Sequence, residues 1–198
     1  MKSKWMAWGL ALLWALALPV AAQVVMPDDL PPVPADKAQV VFLKPGGGLW
    51  AGLNVGLLSL EGDQRRLLGV LQEKSRLVVE LEPGEYRFMS YLQGLGHLLE
   101  ADLEPGRRYF VLARFIYGNG YQLRPIRPGT ASDFDAGQPA FAEWLAETRV
   151  KPQKPQFARW YARKDRKVAK GQARAQADWD AKSEEEREEL RLRPGHAL

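Results

Sequence analysis

Two stretches decide the reading of this chain: "VVELEPGEYRF" (Val78–Phe88) and "EADLEPGRRYFVL" (Glu100–Leu112). Both carry a Leu-Glu-Pro-Gly turn, with Leu81 and Leu103 standing 22 residues apart. Pro83 and Pro105 preset φ at the second turn position. Gly84 and Gly106 supply the positive φ that a type II turn needs at the third. Such turns do not match the twist of a tight two-residue hairpin. They suit a chain that leaves one sheet and enters another. The repeat is therefore read as turn chemistry and not as a ligand signature.

Working outward, short apolar runs recur between turn residues. They are "QVVFL" at 39–43, "LNVGLLSL" at 53–60, "RLLGVL" at 66–71, "RLVVEL" at 76–81, "EYRFMSYL" at 85–92, "HLLEADL" at 97–103, "RYFVLARFIY" at 108–117 and "YQLRPI" at 121–126. Strands at this spacing indicate a sandwich or barrel. Tyr86 follows Gly84 at the spacing of the tyrosine corner of immunoglobulin-like sandwiches, and Tyr109 sits one residue further from Gly106. The predicted fold is mainly β: an immunoglobulin/transthyretin-like antiparallel β-sandwich of about 7–8 strands followed by C-terminal α-helices.

The 198 residues divide by composition. Residues 1–22 read as a secretory signal, with Lys2 and Lys4 ahead of an uncharged apolar run and Val20-Ala21-Ala22 as small residues for cleavage. Residues 23–38 are a Pro-rich N-terminal arm, mobile or laid along the domain. Residues 39–128 hold the β-sandwich. In 129–150, "QPAFAEWLAE" places Phe141, Trp144 and Leu145 on one face, predicting a short docked helix. Residues 151–198 form a charged tail. "KPQKP" at 151–155 is an extended linker. A long helix over 156–180 carries the thin apolar stripe Phe157, Trp160, Tyr161, Val168 and Trp179. Ser183 and Glu186 form a capping box for a last helix.

The formal net charge of +4 conceals an uneven distribution. Residues 151–174 contain nine basic and one acidic residue, whereas 175–198 contain four basic and seven acidic. Arg163, Lys164, Arg166, Lys167 and Lys170 are the candidate contacts for a polyanion, an anionic membrane surface or a cell-wall polymer. The alternative is a solvated helix whose basic half pairs with the acidic segment 184–189. A secreted chain rarely meets nucleic acid, so nucleic acid is not expected as a partner.

Candidate chemistry is sparse. The chain has no cysteine, so disulfides, thiolate catalysis and attachment of lipid to an N-terminal cysteine are closed. His97 and His196 have no neighbours at metal-ligand spacing; His97 reads as a strand-end residue and His196 as solvated. No serine sits in a nucleophile elbow, although proximity of Ser90 and His97 stays open. Asp133 and Asp135 in "SDFD" are one residue apart, a weak pattern for a cation or for acid–base work and a common one for loop capping. Gly46-Gly47-Gly48 lacks the helix and Lys-Ser/Thr pair of a phosphate loop. Trp50 beside it is an interface candidate or an edge-packing residue. No catalytic residue, metal or cofactor is expected.

The segments "ADKAQVVFLKP" (35–45), "VELEPGEYRF" (79–88) and "ADLEPGRRYFVL" (101–112) together resemble a bacterial secreted or lipoprotein-like family, domain of unknown function 2846. The resemblance covers residues 35–128 well, extends loosely through "YQLRPIRP", and implies a small envelope β-sandwich without naming an activity. The expectation is a non-enzymatic interaction or structural module, periplasmic or secreted after cleavage near Ala22 and not lipid-anchored. Its partner is an unknown protein or envelope component, and its oligomeric state is open. The alternative is a peripheral binder of anionic membrane or cell-wall polymer through the basic helix.

Overall fold

The computed structural model describes residues 25–47 and 51–198. The expectations for the secretory signal, Gly48 and Trp50 therefore fall outside the described residues. The fold is mainly β, with two mixed sheets of five strands each and helices toward the C-terminus. One sheet contains β1 (Ala38–Lys44), β4 (Ser75–Leu81), β7 (Arg108–Ile116), β8 (Gly120–Pro125) and the two-residue β9 (Arg149–Val150) in the order β8-β7-β1-β4-β9. The other contains β2 (Val55–Glu61), β3 (Gln64–Leu71), β5 (Gly84–Leu92), β6 (Leu95–Leu103) and the two-residue β10 (Arg191–Leu192) in the order β10-β6-β5-β2-β3.

The sheets are not wholly antiparallel as expected. β1 runs parallel to β7, and β9 and β10 add parallel to β4 and β6. The two short strands come from the region after the eight main strands, which is why periodicity over longer windows does not reveal them. β5 and β6 form a two-residue hairpin at Gln93-Gly94, both with positive φ, the conformation that follows the strand twist.

Both Glu-Pro-Gly segments carry the chain from one sheet to the other, β4 to β5 and β6 to β7. Their geometries differ. Gly106 sits in a two-residue turn at φ 68°, while Gly84 at φ 136° already begins β5. The tyrosine hydroxyls secure both crossings. Tyr86 Oη donates to the Glu82 carbonyl at 2.9 Å, and Tyr109 Oη accepts from the Glu104 N–H at 3.0 Å.

The main core lies between the sheets. Val40, Phe42 and Val111 face Leu57, Phe88 and Leu99, and Phe42 meets Phe88 edge-on at 5.4 Å. Both outer faces are also covered, so β1 is buried along its whole length. On one side Val41, Leu43, Phe110 and Ile126 pack under helix α1 (Pro139–Glu147) through Phe141 and Leu145, with Met26 and Leu30 of the arm beside them. The arm is laid along this face. Asp29 accepts from the Val150 N–H and pairs with the buried Arg76, whose guanidinium also donates to the Leu145 and Thr148 carbonyls at the end of α1.

On the other side Leu58, Leu60, Met89, Tyr91 and Leu98 lie under Val168, Ala175 and Trp179. The tail thus folds back on the sheets. Its predicted single helix over 156–180 is two helices, α2 (Gln156–Ala162) and α3 (Asp165–Asp180), broken at Arg163-Lys164. The break allows α2 to follow the edge at β3 while α3 crosses β5 and β6. Gly171 sits at the closest approach: a Cβ there would stand 3.0 Å from the Tyr91 ring. Helix α4 (Glu184–Glu188) begins at Ser183 with both hydrogen bonds of the capping box.

Candidate functional site

The expected contact residues lie on the surface that α3 and the break before it present to solvent. Burial of Val168, Gly171, Ala175 and Trp179 fixes the rotation of α3. Arg166, Lys170 and Arg174, four residues apart, then form one exposed ridge. Arg163, Lys164 and Lys167 lie to one side of it and line a cleft of about 610 Å³ beside Trp160. The structure thus divides the five predicted cations into an outer pair, Arg166 and Lys170, and a cleft-side trio.

None of the five makes an ion pair with another described residue. The expected alternative, pairing of this basic half with the acidic segment 184–189, is therefore not what the fold does. Three of its five carboxylates, Glu184, Glu188 and Glu189, are paired by other arginines. Glu188 accepts two hydrogen bonds from Arg193, at 3.0 and 2.6 Å, and Arg191 pairs with Glu184, Glu188 and Glu100. Glu189 pairs with Arg124 at 2.7 Å, and the Glu188 carbonyl accepts from Arg127. The two guanidiniums beside Glu188 hold its carboxyl well below the usual range, at about 2. Glu184 and Glu188 thus pair with Arg191 and Arg193 near the end of the tail and Glu189 with Arg124 of β8, and none of them reaches the basic residues 163–170.

Other candidate chemistry resolves into structural roles. Ser90 and His97 are cross-strand partners, yet Ser90 Oγ donates to the Tyr121 carbonyl and His97 Nε2 contacts the Asn119 carbonyl at 2.6 Å. Both fasten β8 and its turn to the opposite sheet. Burial moves the His97 pKa down. Asp135 accepts from the backbone N–H groups of Thr130 and Gly137 and closes its own loop, while Asp133 stays exposed. His196 is half-buried and not solvated as expected. Its Nδ1 accepts from the Arg193 N–H at 2.9 Å, and burial together with the Arg127 charge lowers its pKa to about 4. Among the described residues no group of His, Asp and Glu could hold a metal ion, and no helix is long and apolar enough to cross a membrane.

One buried charge was not visible in the sequence. Lys44 points between the sheets, fully buried, with Nζ donating to the Ala51 carbonyl at 2.6 Å and lying 5.1 Å from the centre of the Tyr121 ring. Burial lowers its pKa to about 8. The alternation Val40, Phe42, Lys44 points it inward, but a lysine at a strand end reads by default as exposed. No protein-family model matches this chain, and no curated protein matches it.

Proposed function

We propose that the protein is a non-enzymatic extracytoplasmic module that docks on an anionic membrane surface through the basic face formed by α3 and the break before it. The observation that carries this reading is the contrast between the two halves of the tail. In the acidic half Glu184, Glu188 and Glu189 have arginine partners, whereas Arg163, Lys164, Arg166, Lys167 and Lys170 have no carboxylate within ion-pair distance among the described residues. Cations next to an anionic leaflet each contribute about 1 kcal/mol, and the attraction falls off within a Debye length. The reading includes secretion with cleavage near Ala22, an immunoglobulin/transthyretin-like form of the sandwich, and the resemblance to the secreted family of unknown function. Interaction with a protein partner through the same module is part of it only if the membrane surface fails.

The test is co-sedimentation of the full chain, expressed with its own leader, with phosphatidylglycerol-containing vesicles, neutral phosphatidylcholine vesicles and peptidoglycan sacculi over a salt series. Binding to the anionic vesicles, released by salt and weakened by Arg166→Gln with Lys170→Gln, is expected. Equal binding to neutral vesicles, or binding indifferent to salt, overturns the reading. Binding to sacculi alone moves the partner to cell-wall polymer.

A further inference from the structure

The cleft-side trio has a different environment from the outer ridge. Leu53, Val70, Tyr91, Leu92, Phe157 and Trp160 form an apolar part of the cleft lining, with Asn54, Gln93 and Gln156 beside them. Its volume of about 610 Å³ falls within the roughly 300–1,000 Å³ usual for small-molecule sites. A Cβ built on Gly56 would stand 3.7 Å from the Trp160 ring, and Trp160 tilts over Tyr91 at 6.3 Å between ring centres, so two aromatic rings form one wall. Arg163, Lys164 and Lys167 stand along the same cleft, all on the side of the helix break.

The apolar lining continues beyond the cleft. Leu53, Leu92 and Gln93 also line a second hollow of about 290 Å³, whose far side is Leu95, Phe115 and Tyr117. Tyr117 is 85% exposed, an unusual setting for an aromatic ring. The result is an elongated apolar track with three cations at one end and an exposed tyrosine at the other.

We propose that this track is a binding site for a single anionic amphiphile, an acyl chain ending in a phosphate or carboxylate. The anionic end sits at Lys164 and Lys167, and the chain runs over Leu53 and Leu92. The charge distribution favours this occupant over a neutral lipid, because desolvating the cations beside apolar side chains requires a compensating anion. It favours an amphiphile over a free anion, because the six apolar and aromatic side chains beside the cations offer nothing to an inorganic ion. The inference rests on the membrane reading for the source of the amphiphile, but it concerns a bound molecule and not a surface.

The experiment is calorimetric titration of the full chain with dodecyl phosphate below its critical micelle concentration, alongside inorganic phosphate and a neutral dodecyl glycoside. One-to-one binding of dodecyl phosphate is expected, at least about tenfold tighter than either comparator, a margin of about 1.4 kcal/mol. Lys164→Gln with Lys167→Gln should remove that margin, and Arg166→Gln with Lys170→Gln should leave it intact. Shifts of the Trp160 indole and Gln93 amide signals on titration should locate the ligand. No binding, binding equal to inorganic phosphate, or equal losses in the two double variants overturns the amphiphile site. Anionic vesicle binding that persists in those cases leaves the membrane reading standing. Loss of vesicle binding with dodecyl phosphate binding intact overturns the membrane reading alone.

Discussion

At the scale of single residues, the two tyrosines behind the Pro-Gly turns do similar work in different surroundings. Tyr109 is fully buried and its hydroxyl is the acceptor for the Glu104 N–H, whereas Tyr86 is only half-buried. Tyr109→Phe leaves the Glu104 N–H without its partner in a part-buried turn, which costs about 1–2 kcal/mol. Tyr86→Phe leaves the Glu82 carbonyl able to reach water, and about 0.5–1 kcal/mol is the expected loss. Urea unfolding of the two variants should show this order, and equal losses would mean that the Tyr109 site is wetter than its burial indicates. Lys44 has a pH signature. Its folded pKa, near 8, lies below the value of about 10.4 in an unfolded chain. The unfolded state therefore holds the extra proton between these values, and stability rises with pH across that window. From pH 7 to pH 10 the protein should gain about 2–3 kcal/mol relative to Lys44→Met. Thermal unfolding of both proteins across that range measures it, and parallel curves would show that the amine is hydrated in the folded state.

At the scale of elements, the helix stripe was legible and the helix break was not. Phe157, Trp160, Tyr161, Val168 and Trp179 all pack toward the sheet carrying β5 and β6. Their spacing gave the face, but nothing in the intervening "ARKD" marks a stop, because arginine, lysine and alanine are all good helix formers. The break lies where the contact of α2 with β3 gives way to that of α3 with β5 and β6. Gly171 in the same stripe looks like an interruption in the sequence, yet it is the contact point. A Cβ at 171 would lie 3.0 Å from Tyr91 and 3.4 Å from the Gly94 carbonyl. Gly171→Ala should be close to neutral, since a helix gains about 1 kcal/mol from alanine over glycine and the tight contact offsets it. Gly171→Leu has no such balance and should lose about 1–3 kcal/mol by overpacking. A denaturant series on the two variants tests the close approach, and a leucine variant as stable as the alanine one would place α3 further from the sheet.

At the scale of the whole molecule, the tail completes the sheets and is not an appendage on a self-sufficient sandwich. β9 adds to the edge at β4, and the Gln153 side-chain amide then pairs with both the N–H and the carbonyl of Val70 on β3. β10 adds to β6, and buried Leu192 enters the core between the sheets. The sequence announces the eight main strands because they are apolar runs between turns. It conceals the edge covering because "RV" and "RL" are two residues each and no period exists over such a length. The same concealment hid the candidate cleft, whose walls come from segments more than 60 residues apart and meet only in the folded chain. A chain ending at Val150 would therefore not be a sandwich freed of its helix. It would expose Leu58, Leu60, Met89, Tyr91 and Leu98 on one face of the β2-β5-β6 sheet and leave the β3 edge uncovered, an invitation to pair with other chains. Such a product should elute as an aggregate and bind a hydrophobic dye such as ANS. If it is instead a monomer with the melting temperature of the full chain, then α3 is only loosely held, and the cleft between it and the sheet is not a fixed site.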